Sequence, residues 1–350
     1  MHLDDNLTDL VVRMKRMAYH PGPVRQVLIP KAGTPQATRP LGISNLEDKI
    51  VQLMMHHVLE SIYEPLFLDC SYGFRPGRGY HDAIRALHQH LYRKEVQTII
   101  DQDERFMRYV KWMFKAGVLV AGELTVSEEG VPQGSCCSPI LANIFAHHVI
   151  DSWFEAVVRR HCTGQVALYR YADDAVICCQ YTRDAERILR ALRQRLAKYR
   201  LRLNDEKTRL VPFSKQAARH GEPQGAFEFL GFVVYLGRSR KGVAIPKLKT
   251  SGKRLRTKLT RVKEWARTVK DTVRLPILWN TSCAKLRGHI QYYGVSFNLA
   301  HVRRFLHGAT RILWKWLNRR SQRRSMNWDQ FHRFLKMHPL PRAKIYHALF

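Results

Sequence analysis

The 350-residue chain has no run of 18 uncharged apolar residues, so no transmembrane helix is expected. Its first residues, Met1-His2-Leu3-Asp4-Asp5, lack the charged-then-apolar pattern of a secretory leader. The expectation is a soluble intracellular protein, of bacterial-type cytoplasmic ribonucleoprotein. The seven cysteines, Cys70, Cys136, Cys137, Cys162, Cys178, Cys179 and Cys283, form no C-x-x-C pair. Zinc ribbons and zinc-dependent nuclease modules are therefore not supported. An odd count without a leader reads as reduced, mostly buried thiols. There is no internal repeat and no low-complexity block. Acids are scarce: 29 Asp and Glu stand against 59 Lys and Arg, a net charge of +30. A charge of that size speaks about partners rather than fold, and nucleic acid is a better match than a membrane surface.

What is present is a chain 45% apolar, too rich for a disordered tail, and long enough for two or three domains. The charge is uneven. From Lys247 to Phe350 there are 25 Lys and Arg against Glu264, Asp271 and Asp329, or +22. The first 246 residues hold 34 bases and 26 acids, only +8. The basic part also carries Trp265, Trp279, Trp314, Trp316 and Trp328, so it is expected to fold.

Periodicity predicts a helix over 6–20 and a strand over 24–30. It also predicts a helix from Leu46 to Tyr63, with Ile50, Leu53, Met54, His57, Val58 and Ser61 on one face. Glu95–Ile100 reads as a short strand and Phe106–Phe114 as a helix ended by Gly117. Pro139–Arg160 reads as a long buried helix. Val166–Arg170 and Ala175–Cys179 read as strands flanking Tyr171-Ala172-Asp173-Asp174, a hairpin with two carboxylates at its tip. An amphipathic helix follows over 183–200, then a strand or hairpin over 227–236. Helices are expected near 251–270, 281–293, 299–318 and 328–337. The body is α+β and the C-terminal part helical.

Two constellations carry chemistry. Adjacent Asp173 and Asp174 in apolar surroundings fit either a solvated turn or a divalent-metal site, since burying like charges is costly. A hard Mg²⁺ takes carboxylate oxygens and keeps room for substrate phosphates. Gly130-Val131-Pro132-Gln133-Gly134-Ser135 opens the helix at Ser138-Pro139. It is either an ordinary helix-start loop or a loop that lies under a nucleotide.

These segments together resemble the reverse transcriptases of group II introns, the intron-encoded maturases. Ile29-Pro30-Lys31 with Arg39-Pro40-Leu41-Gly42-Ile43, and Ser71-Tyr72-Gly73-Phe74-Arg75-Pro76-Gly77-Arg78, come first. The Gly-Val-Pro-Gln-Gly loop and Tyr-Ala-Asp-Asp follow in the family's order. Leu203–Arg209, Phe227–Phe232, Leu286–Tyr293 and Trp314–Arg320 complete it. The resemblance implies a right-hand polymerase with an antiparallel palm sheet and a helical basic thumb/maturase domain. Fingers would be 1–95, N-terminally shortened; palm 96–246; thumb 247–350. It implies Asp173 and Asp174 as catalytic metal ligands, with Mg²⁺ and alternatively Mn²⁺. Lys31, Arg39, Gln133, Gly134 and Lys207 would bind the nucleotide, and Phe229, Leu230 and Gly231 the primer end. Arg75, Arg78, Arg287, Arg319, Arg320, Arg323 and Arg324 would contact RNA. The implied partners are group II intron RNA, a DNA primer or target and dNTPs, with no membrane.

One family feature is missing. Relatives carry a third carboxylate after an earlier palm strand. Here Val96–Ile100 runs straight into Asp101-Gln102-Asp103-Glu104-Arg105, which resembles the start of a later helix, so a palm deletion near 100–103 is expected. Asp101 is the available substitute carboxylate, although a helix N-terminal acid is the favoured role for Asp101 and Asp103. Two readings follow: an RNA-directed DNA polymerase, or a catalytically inactive RNA-binding splicing maturase or decayed relic.

Overall fold

The computed structural model describes residues 3–30, 38–103, 117–120, 123–126, 135–201, 203–204, 208–320 and 326–350. Helix and largely antiparallel sheet are mixed in the chain, and about half of it is helical. It divides into two compact units, Met1–Ala83 with Ile100–Leu210, and Ile84–Ile99 with Val211–Phe350.

In the first unit, α1 (Leu3–Lys15) precedes β1 (Val24–Pro30) and β2 (Thr38–Ile43). These strands pair antiparallel from Arg25↔Ile43 to Pro30↔Thr38. β4 (Gly117–Val120) joins β1 in parallel, and β5 (Glu123–Val126) completes the order β2-β1-β4-β5. Gly117 opens β4. The helix expected over Phe106–Phe114 lies outside the described residues.

α2 (Leu46–Tyr63) has the predicted bounds, with the Asn45 side chain accepting from the Asp48 backbone N–H at 2.7 Å. Its apolar stripe does not face the core. Leu53, Met54 and Val58 are exposed, whereas Asp48 and Val51 are buried. Asp48 earns its burial by accepting bonds from the Tyr19 hydroxyl and the Gly22 N–H, which anchor the incoming loop.

The helix at residues 138–161, here α4, starts with Pro139 in its first turn. It contains two π-helical stretches, His147–Asp151 and Phe154–Val158. Its inner face packs Ala142, Ala146, Val149, Ile150 and Phe154 against β6 (Val166–Tyr171), β7 (Asp174–Cys179) and α5 (Thr182–Lys198). Ile188, Leu192 and Leu196 come from α5 at the expected helical spacing.

β6 and β7 belong to a four-stranded sheet of order β6-β7-β3-β8, with β3 at Thr98–Asp103 and β8 at Arg209–Pro212. Asp101 to Asp103 thus extend a strand. The resemblance put these residues at a helix start, whereas here they pair in a strand that has a sheet neighbour on each side.

In the second unit, β9 (Ala226–Phe229), β10 (Phe232–Arg238) and β11 (Ala244–Thr250) form an antiparallel sheet. Residue 247, where the basic segment begins, sits inside β11. α3 (Tyr80–Arg93), unassigned from sequence, runs from one unit into the other. In the second unit its His88 Nε2 lies 3.1 Å from the Pro246 carbonyl oxygen, and Tyr92's carbonyl accepts from Lys215 of α6 (Lys215–Arg219).

The basic segment folds as α7 (Gly252–Val269), α8 (Leu275–Tyr293), α9 (Leu299–Leu317) and α10 (Trp328–Met337). α8 starts earlier than expected because Pro276 occupies its first turn. Leu255, Leu278, Trp279, Leu286, Phe305, Leu313 and Phe331 make the core, with Trp265 and Trp314 against it. Of the basic segment's tryptophans, Trp279 is buried, Trp265 and Trp314 are half-buried against the core, and Trp328 is exposed. Among the described residues no helix is long and apolar enough to cross a membrane.

Candidate nucleotidyl-transfer site

β6 and β7 pair in register from Val166↔Cys179 to Tyr171↔Asp174. Ala172 and Asp173 are thus the two turn residues, and Ala172 takes φ 55°. Along β6 buried and half-buried residues alternate. Val166, Leu168, Ala175, Ile177 and Cys179 face α4 and α5 in one core cluster. Asp174 belongs to the opposite pleat. Asp173 and Asp174 are both half-buried.

A second segment braces this turn. Ser71 bridges Arg170; the Tyr72 N–H donates to the Arg170 carbonyl at 2.9 Å, and the Arg170 N–H to the Cys70 carbonyl at 2.8 Å. Gly73 lies against the turn. A Cβ there would collide with the Ala172 backbone nitrogen and approach the Tyr171 carbonyl carbon to 3.1 Å. Phe74 and Tyr171 have ring centroids 6.4 Å apart. Burial, then the nearby Asp151, pushes the Cys70 thiol up to about 12, so it stays protonated.

Beneath the turn sits Arg170, fully buried. Its Nε and Nη2 donate to the two carboxylate oxygens of buried Asp151 at 2.7 and 2.6 Å. Sequence reading did not single out this pair. Its signal was a lone base at the end of an apolar strand and an acid among the apolar residues of a helix, each requiring a buried partner.

Asp101 lies on β3. Ile100 belongs to the cluster beneath the sheet, so Asp101 takes the opposite pleat, the one that carries Asp174. Its carboxylate accepts from Arg209 of β8 at 3.1 Å. Asp173 and Asp174 are oxygen-only donors, suited to a hard cation that fills its other positions with water and phosphate oxygens. Among the described residues no group of three or more His, Cys, Asp or Glu side chains is gathered for a metal ion.

Phe229, Leu230 and Gly231 form the bend between β9 and β10. Phe229 pairs with Phe232, and the two turn residues have φ 48° and 84°, as a type I′ turn requires. The Phe229 ring is buried, and the Leu230 carbonyl accepts from the Tyr292 hydroxyl at 2.9 Å. Leu230 and Gly231 are buried as well.

The arginines divide. Arg75 is buried, bonded to Glu64 and to the carbonyls of Leu68 and Ser71. Its expected RNA contact is replaced by a structural role. Arg78 pairs with Asp69 at 2.6 Å, and Arg320 donates to the Val273 carbonyl. Arg287 and Arg319 are exposed, Arg319 stacking over Trp316 at 5.3 Å. Arg39 pairs through its backbone with Ile29. Lys31, Gln133, Gly134, Lys207, Arg323 and Arg324 lie outside the described residues.

Residues 29–234 match the reverse transcriptase (RNA-dependent DNA polymerase) family, and the chain belongs to that family. It is 32% identical to protein YkfC of Escherichia coli, over 64% of this chain and 70% of that one. It is 30% identical to the group II intron-encoded protein LtrA of Lactococcus lactis, over 42% of this chain and 28% of LtrA. It is 33% identical to a 91 kDa protein in the cob intron of Schizosaccharomyces pombe, over 43% of this chain but 21% of that protein. Two of these relatives are named for introns, the Lactococcus lactis protein for a group II intron and the Schizosaccharomyces pombe protein for the cob intron. The chain aligns with less than a third of the LtrA and cob-intron proteins.

Proposed function

We propose that this chain copies RNA into DNA at the β6–β7 turn and binds group II intron RNA through its basic helices. The observation that carries the reading is the carboxylate pair at a braced turn of an antiparallel sheet. Asp173 and Asp174 would hold a divalent cation, Mg²⁺ first and Mn²⁺ as substitute. Such a cation supplies activation of a primer 3′-hydroxyl and neutralisation of triphosphate charge. The chain's own part is positioning and charge compensation, which account for most of the catalysis in phosphoryl transfer.

In this reading residues 1–95 are fingers, 96–246 palm and 247–350 thumb. Lys31, Arg39, Gln133, Gly134 and Lys207 serve the incoming dNTP. The backbone of the Leu230-Gly231 turn supports the primer end. Asp101, on the same pleat as Asp174, is the carboxylate nearest in topology to the family's third one. Arg287 and Arg319, with Arg323 and Arg324, contact RNA phosphates, and the +22 segment makes binding salt-dependent.

A second reading is an RNA-binding splicing maturase that does not copy. It is favoured by the absence of a third gathered ligand among the described residues. Primer extension on an RNA template with dNTPs and Mg²⁺ or Mn²⁺ separates the two. Extension that drops by about 10²-fold or more in Asp173→Ala supports copying. Loss in Asp101→Asn as well assigns Asp101 to the site. No extension by the parent chain, with salt-sensitive RNA binding intact, establishes the maturase reading instead.

A further inference from the structure

We propose that Arg170 is a positioning residue whose buried guanidinium, pinned by Asp151, sets the Ala172-Asp173 turn and thereby the stance of the two carboxylates. The conformational claim stands on the geometry; its catalytic consequence rests on the polymerase reading above.

An arginine has five N–H donors in a rigid fork. In Arg170 Nε and one Nη2 donor engage Asp151. The second Nη2 donor goes to the Ser71 hydroxyl at 2.7 Å. Nη1 donates to the Asn143 side-chain oxygen at 3.2 Å and to the Ala172 carbonyl at 3.0 Å. The last bond is made to the turn itself. Asn143 in turn donates from Nδ2 to the Gly73 carbonyl, and Gly73 is the residue pressed against the Ala172 nitrogen. The network therefore grips the turn from two sides.

Two considerations make this more than core packing. A buried ion pair recovers its desolvation cost poorly, and apolar residues of similar volume often serve stability as well. A second benefit is needed, and the spare donors show where it lies. Ala172 also holds a left-handed φ of 55°, which disfavours any residue bearing a Cβ. The Arg170–Ala172 carbonyl bond opposes relaxation of that residue. The π-helical stretch ending at Asp151 belongs to the same device. Residues eight apart on an α-helix diverge by roughly 80° around the axis, and the wider π turns reduce that offset. Asn143 and Asp151 can then both reach Arg170 from one helix.

The test uses the full chain and two variants. Arg170→Lys keeps the charge but loses the fork. Gly73→Ala leaves every charge in place and pushes a methyl against the turn. Amide hydrogen exchange is measured at Tyr171–Ala175, beside the thermal transition and RNA affinity. The expected result is at least tenfold faster exchange at those amides. A single thermal transition should persist, and exchange along the rest of β6 and β7 should be unaltered. In primer extension, kcat should fall at least tenfold and half-saturating Mg²⁺ should rise, with RNA affinity unchanged. If Arg170→Lys does not fold, Gly73→Ala carries the test. Turn exchange and Mg²⁺ dependence equal to the parent's in the folded variants would overturn the proposal. A parent chain that does not extend primers removes the polymerase reading alone, because the exchange measurement still decides the positioning claim.

Discussion

Arg75 carries its guanidinium into the first unit, onto Glu64 and two backbone carbonyls, while Arg287 stands exposed on α8. Sequence resemblance assigned both to RNA. Removing one member of a buried pair leaves the other without compensation. Arg75→Ala should therefore cost about 3 kcal/mol in chemical denaturation and leave the salt slope of RNA binding unaltered. Arg287→Ala should do the reverse. Stability should stay within about 0.5 kcal/mol, and the slope of log K against log salt should flatten by roughly 0.7–0.9. If Arg75→Ala changes the slope and not the stability, the structural assignment of Arg75 is wrong.

At the scale of elements, hairpin turns and helix faces show which patterns local chemistry decides. The β9–β10 hairpin places two residues at positive φ, and Gly231 at 84° is the one suited to it. Gly231→Ala should destabilise the protein by about 1–2 kcal/mol, read as a lower denaturation midpoint at unchanged slope. A shift of the primer end should accompany it as a raised KM for primer–template. α2 teaches the opposite lesson. Its apolar positions were legible at helical spacing, yet Leu53 and Val58 are exposed and Asp48 is buried. Periodicity identifies a stripe but not the surface that covers it. The strand β3 is similar. Asp101-Gln102-Asp103 has poor strand propensity, and only its place between β7 and β8 makes it one.

For the molecule as a whole, titration couples to stability through half-buried histidines of the second unit. Burial, with Lys94 and Lys215 adding, lowers His90 to about 4. Burial, with Lys258 adding, lowers His289 to about 3. Their unfolded value is near 6.5, so below that pH the unfolded chain binds more protons. Their contribution is complete above pH 6.5 and is lost as pH falls toward 4 and 3. The melting temperature at pH 5 should lie on the order of 5 °C below that at pH 7.5. A His90→Gln/His289→Gln double variant should lose part of that difference. An equal difference in the double variant would refute the assignment.

The sequence by itself determined the family, the order of its motifs, the carboxylate hairpin and most helix bounds. These rest on local pattern: spacing of apolar residues, capping side chains, and proline in a first turn. The resemblance to group II intron reverse transcriptases was legible for the same reason, since it is carried by short contiguous segments. Tertiary structure alone decided the rest. It sent Arg75 inward, exposed the α2 stripe, made Asp101 a strand residue and joined Arg170 to Asp151, Asn143 and Ser71. Each of these depends on residues far apart in the chain. Burial and pairing are properties of the neighbours a fold supplies, and no local pattern records them.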